Sequence, residues 1–225
     1  ERATEVQTAV DAHAGQDPTN EIATNLGVEA EKLLFVEHHL SHAASTFFAS
    51  PYEEAAVLTV DGVGEWTTTT IGKATADWDG SGHNTIELLN EIKYPHSLGL
   101  LYSAFTAFLG FRVNNGEYKV MGMAPYGKAT RIEDVHKVIR VQSDGSFHLN
   151  MKYFAYTYDK YMTNQQFSKL FGITRRVEGE KAEQIHFDIA ASAQKVLEDI
   201  LLKMVNHIYK ETKMKNLCIG GGVAL

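Results

Sequence analysis

Residues 55–74, AAVLTVDGVGEWTTTTIGKA, constrain this chain more than any other stretch. Two runs rich in Val, Thr and Ile flank a DG-x-G centre, the pattern of a β-hairpin with its turn at the glycines. Around it, strand-like and helix-like segments alternate. LLFVE, 33–37, reads as a short buried strand. HHLSHAASTFFAS, 38–50, has helical spacing and ends before Pro51. TIELLNEIKY, 85–94, reads as a strand after the loop ADWDGSGHN, and SLGLLYSAFTAFLGF, 97–111, as an apolar helix. NNGEYKVMGMAPYGK, 114–128, is a glycine-punctuated stretch. Residues 131–142 suit a short helix before an SDGSF turn. The strongest helical pattern covers 187–212, where Ile189, Ala193, Val196, Ile200, Met204 and Ile208 recur every three or four positions. LCIGGGVAL, 217–225, reads as a buried strand running into a glycine turn. Before the hairpin, residues 1–13 and EIATNLGVEAEKL, 21–33, suit helical pieces separated by QDPTN. The alternation predicts an α/β fold.

Charge and cysteine content narrow the function classes. A net charge of -7 argues against nonspecific binding to nucleic-acid backbones. No apolar run approaches the roughly 20 residues that span a bilayer. The single cysteine, Cys218, can form no internal disulfide and no CxxC zinc pattern. A cytoplasmic setting and no membrane partner are expected. The opening ERATEVQ and the closing GGGVAL suggest a fragment of a longer protein.

Three histidines fall within five positions at HHLSH, 38–42. On a helix, His38 and His42 share a face and can share a metal, while His39 points elsewhere. A carboxylate is the expected third ligand, and Asp61 in the hairpin centre is the candidate. On spacing alone, histidines with ordinary hydrogen-bond partners remain the alternative. The pattern is not HExxH and lacks that motif's general-base Glu, which argues against a zinc protease. Gly62 and Gly64 in DGVGE could admit a phosphate to backbone N–H groups, although an ordinary tight turn would use the same residues. Gly220, Gly221 and Gly222 repeat the theme at a strand end, without the GxGxxG or P-loop signature. Glu117 and Lys119 sit in the glycine-punctuated stretch, where Lys119 could neutralise phosphate charge or simply be solvated. The aromatic residues around His96 and Tyr102 read as core packing.

VEHHLSHAAS, TVDGVGEWTT, YPHSLGLLYSAFTAFLGF, GEYKVMGMAPYG, HFDIAASAQKVLE and LCIGGGVAL occur in this order. From about residue 30 onward the series resembles the carbamoyltransferase family of nodulation-factor and antibiotic O-carbamoyltransferases. That family is related to hydrogenase-maturation carbamoyltransferases and to tRNA threonylcarbamoyl-transferases. The resemblance implies an actin/Hsp70-like (ribonuclease H-like) α/β fold, incomplete at both ends here. Residues 1–225 would be part of an N-terminal carbamoyl-transfer domain, without the C-terminal adenylate-forming domain.

It also implies ATP and carbamoyl phosphate as substrates, a carbamoyladenylate intermediate and a small acceptor bearing a hydroxyl. His38, His42 and Asp61 would hold a divalent metal, iron(II) or alternatively magnesium. Gly62, Gly64, Glu117, Lys119, Gly220, Gly221 and Gly222 would lie along the nucleotide or carbamoyladenylate. The family's HDSS-like segment, the expected source of the general base, does not occur in this sequence, so no catalytic residue is assigned and the chain alone is expected not to turn over. A later Asp, the expected fourth metal ligand, also does not occur. Two alternatives stand beside this reading: an actin-like nucleotide-binding module without catalysis, and a threonylcarbamoyl-type transferase acting on tRNA, which the acidic balance disfavours. A homodimer is a further expectation.

Overall fold

The computed structural model describes residues 18–78, 80 and 82–224. The helix expected over residues 1–13 lies outside them. The described residues fall into two compact units, divided between Glu37 and His38.

In the first unit, α1 (Thr19–Leu26) follows Pro18 and ends at Gly27, whose φ of 66° lets its N–H cap the last carbonyls. A 3₁₀ turn covers Ala30–Lys32. The expected LLFVE strand does not form. Residues 33–37 belong to neither sheet, and Leu34, Phe35 and Val36 are 91%, 62% and 55% exposed. With no neighbouring strand to exchange backbone hydrogen bonds, the run joins no ladder.

The second unit opens with α2 (His38–Phe47). The strands β1 (Glu54–Gly64), β2 (Thr67–Thr75) and β3 (Thr85–Lys93) form an antiparallel meander. Further along come α3 (Leu98–Phe108), α4 (Glu117–Met123) with a 3₁₀ turn at Ala124–Tyr126, and α5 (Ile132–Val138). A small hairpin, β4 (Ile139–Val141) and β5 (Phe147–Leu149), precedes α6 (Gln165–Phe171), α7 (Gln184–Thr212) and β6 (Leu217–Gly220). Strand β6 joins parallel to β1, giving a mixed sheet of order β3-β2-β1-β6. The fold is mixed α/β, as the alternation predicts.

Strand β1 organises everything around it, because it is covered on both faces. Ala56, Leu58 and Val60 point into the large core with α3 and α7, while Ala55 and Val57 pack with Ala43 and Phe47 of α2. The hairpin turn differs from the expectation. DGVG remains in β1, and the turn is Glu65–Trp66, with Glu65 at a φ of 58°. Pairing with β2 runs to Val60 and resumes only at Gly64. Residues 61–63 are therefore an irregularity inside the strand and not its end.

Three other differences have local causes. Helix α7 starts at Gln184 because Glu183 and His186 cap it reciprocally, the backbone N–H of Glu183 donating to His186 Nδ1 at 3.0 Å. Its six periodic apolar residues are all buried, as expected. The 114–128 stretch contains the helix α4, whose buried Val120 and Met123 pack into the core despite the glycines. The helix expected over 131–142 stops at Val138, where the chain turns into β4 and pairs with β5 across the expected SDGSF turn.

Candidate functional site

Side chains alternate along a strand, so Asp61 falls in phase with Ala55, Val57 and Thr59 on the face that α2 covers. Along α2, His39, Ala43 and Phe47 are buried at four-residue spacing and anchor the helix to the sheet. His38 and His42, also four apart, are then brought over Asp61. Both Nε2 atoms approach the same carboxylate oxygen, Asp61 Oδ2, at 2.7 Å for His38 and 3.0 Å for His42. The two rings meet edge-on with centroids 4.5 Å apart. One ligand atom from each of the three residues lies within 4.8 Å of the others.

The other carboxylate oxygen is anchored. Asp61 Oδ1 accepts the N–H of Gly62 at 2.7 Å and that of Gly222 at 3.2 Å. Burial opposes ionisation of Asp61, but hydrogen bonds from His38, Gly62, His42 and Gly222 outweigh it and hold the carboxyl well below the usual carboxylate range. Close approach explains two glycines here. A Cβ on Gly64 would overlap the His38 ring, and one on Gly222 would sit 2.8 Å from Asp61 Oδ1.

His39 does different work. Its Nε2–H donates to the Thr67 carbonyl at 2.9 Å, and its Nδ1 accepts from Thr59 Oγ1 at 2.6 Å. Both ring nitrogens are used, so neither is free for a metal. Burial lowers its pKa, in keeping with a neutral ring.

Beside Asp61 lies a cavity of about 430 Å³. Asp61, Gly62 and Gly222 form one side of its lining, and Tyr102, Glu117 and Gln194 contribute from α3, α4 and α7. Glu117 accepts Ser103 Oγ at 2.7 Å and the Asn114 N–H at 3.0 Å on Oε1, and the Gly116 N–H at 3.1 Å on Oε2. Burial works against its ionisation, but these bonds win and its pKa is lowered.

Not every expected residue reaches the cavity wall. Of the histidine–aspartate group only Asp61 lines the cavity; His38 and His42, like Gly64, Gly220 and Gly221, are not in the lining, and Lys119 places its Nζ 5.7 Å over the Phe111 ring and 5.9 Å over the Tyr118 ring. Tyr102 packs against the core, as expected, and in addition lines the cavity and donates its hydroxyl to Gln194 Oε1 at 2.8 Å. Burial pushes its phenol pKa up. The helical spacing of Gly99, Tyr102 and Ser103, all lining residues, was the sequence signal for this face.

Residues 19–225 match the family described as Carbamoyltransferase N-terminus. The chain belongs to the carbamoyltransferase family. It is 32% identical to nodulation protein NolNO of Sinorhizobium fredii over 206 residues, which is 90% of this chain and 28% of that protein. Nodulation protein NolO of Bradyrhizobium diazoefficiens is 31% identical over 190 residues, 84% of this chain and 31% of that protein. An uncharacterized protein of Synechocystis sp., sll1178, is 51% identical over 194 residues, 86% of this chain and 30% of its own length. The chain thus spans about 30% of the length of these curated relatives. Of the ordered motifs, HHLSH and DGVG meet through His38, His42 and Asp61, and GGGV reaches Asp61 through the Gly222 N–H. No described helix is long and apolar enough to cross a membrane.

Proposed function

We propose that the full-length protein is an ATP-dependent O-carbamoyltransferase, and that this chain carries its carbamoyl-transfer site. The carbamoyl group would pass from carbamoyl phosphate, through carbamoyladenylate, to the hydroxyl of a small acceptor. An actin-like fold with the nucleotide in its cleft is part of the same reading. The observation that carries it is the convergence of His38 and His42 on Asp61 at the edge of the cavity, in a chain of this family.

The donor set fits a divalent metal. Two imidazole nitrogens and one carboxylate oxygen suit a borderline first-row ion such as iron(II), with magnesium as the alternative. Bound there, such an ion would supply a Lewis acid for a phosphate or carbamoyl oxygen. The remaining tasks belong to the protein. Asp61 stays ionised and has its rotation set by the two backbone N–H groups on Oδ1. Glu117, prearranged by three donors, has acceptor capacity left on Oε2 for a ligand hydroxyl. Gly62 and Gly222 let a ligand approach the backbone closely.

The test uses the full-length protein with iron(II). Pyrophosphate release from ATP is expected to require carbamoyl phosphate. Release that ignores carbamoyl phosphate, or none from folded and metal-loaded protein, would overturn the proposal in favour of another acyl donor or a noncatalytic nucleotide-binding module.

A further inference from the structure

Asp61 and Gly62 lie where β1 loses its pairing with β2, so the ladder does not hold their carbonyl groups. Ser97, fully buried at the start of α3, takes that place. Its hydroxyl lies 2.6 Å from the Gly62 carbonyl and 3.1 Å from the Asp61 carbonyl, a three-centre donation dominated by Gly62. The same Oγ accepts the Leu100 N–H at 3.0 Å, the N-cap bond of α3. Two residues on, Gly99 rests against the same peptide. A Cβ there would fall 2.6 Å from the Asp61 carbonyl oxygen and 2.7 Å from both Gly62 N and Gly62 Cα. These neighbours are backbone atoms and cannot swing aside.

We infer that Ser97 is a positioning residue for the metal site: with Gly99 it clamps the Asp61–Gly62 peptide to the first turn of α3 and so sets where the Asp61 carboxylate points. This inference rests on the metal reading above. The physical reason is that an irregular strand segment can rotate, and a rotation about the 61–62 peptide would also withdraw the Gly62 N–H from Asp61 Oδ1. The clamp removes that freedom on the backbone side, while His38 and His42 face the carboxylate on the other. Groups that orient a ligand affect affinity without touching the ion.

The test is cobalt(II) binding to the full-length protein, followed by the visible absorption of the bound ion, alongside thermal denaturation of the metal-free protein. Ser97→Ala is expected to bind cobalt roughly 10- to 100-fold more weakly, with an altered spectrum. Ser97→Thr, which keeps the hydroxyl, is expected to restore most of the affinity. Gly99→Ala is expected to weaken binding in the same direction and keeps the question answerable if Ser97→Ala does not fold. A role confined to capping α3 would lower thermal stability alone. Folded Ser97→Ala or Gly99→Ala protein with wild-type cobalt affinity and spectrum would overturn the inference and leave the metal reading standing. A wild-type protein that binds no cobalt would overturn both.

Discussion

The two faces of β1 are built for different purposes. On the side of Leu58 and Val60, α3 and α7 bury a continuous core in which Phe105, Phe108, Phe167 and Phe171 pack ring against ring. On the side of Val57 and Thr59, the apolar cluster is small and, among the described residues, α2 is its only helix. That thin face carries His38, His42 and Asp61. One strand thus takes its rigidity from one side and carries the histidine–aspartate group on the other, while the cavity beside Asp61 is lined from α3, α4 and α7. Binding elements with little packing of their own can be held precisely when their shared strand is locked from behind.

A pair of phenylalanines tests this contrast most severely. Phe108 and Phe47 are both fully buried. Phe108→Ala is expected to cost about 3–5 kcal/mol, because the surrounding rings and α7 cannot close the space. Phe47→Ala should cost clearly less, since its ring neighbours Phe48 and Trp78 are partly exposed and free to settle. Denaturant unfolding of both variants decides it, and equal losses would break the contrast.

Within the thin face, adjacent histidines should separate. His42→Ala is expected to lower metal affinity about 10-fold or more while leaving the fold intact. His39→Ala should instead destabilise the protein by about 1–3 kcal/mol, because the Thr67 carbonyl loses the ring N–H and the Thr59 hydroxyl keeps only Thr70 Oγ1. Cobalt titration and thermal denaturation on both variants read the two effects. A His39 variant that loses affinity without losing stability would erase the distinction.

The smallest expected effect is a pH dependence on the thick side. His96 Nδ1 accepts the Leu149 N–H at 3.1 Å, which requires an unprotonated nitrogen. Burial, then the nearby His148, lowers its pKa from the ordinary 6.5. Its contribution is therefore complete above about pH 6.5 and is lost as the pH falls through the lower folded value, because the unfolded chain takes up the proton first. A loss of about 1 kcal/mol is expected, the scale of one hydrogen bond. Stability curves for wild type and His96→Asn from about one pH unit above to about one and a half below the ordinary value of 6.5 check it. His96→Asn, whose amide oxygen can still accept, should flatten the slope.

How much of this was legible in the chain follows from range. Helical periodicity located α7 and picked out six residues that it buries, missing Ala190 and Leu197 beside them, since burial on one face repeats every three or four positions. Spacing also paired His38 with His42, because four residues are one helical turn. Asp61 was reachable as a candidate, but the hairpin turn was misplaced by local glycine content. Those glycines serve close approach to His38 and an irregular strand instead. The 33–37 run was apolar enough for a strand, yet pairing depends on a neighbour that no local pattern contains.

Sequence alone thus determined the α/β class, the long helix, the histidine pair and the family resemblance. These reside in short-range periodicity and in ordered motifs. Only the tertiary structure decided that Asp61 meets both histidines through one oxygen, that His39 is consumed by Thr59 and Thr67, and that Tyr102 and Gln194 face the cavity. It also decided that Ser97 holds the Asp61–Gly62 peptide. Each of these joins residues at least 20 positions apart in the chain, apart from the 19 that separate His42 from Asp61. Contacts over that distance are set by strand register and helix docking, which arise only when the whole core packs.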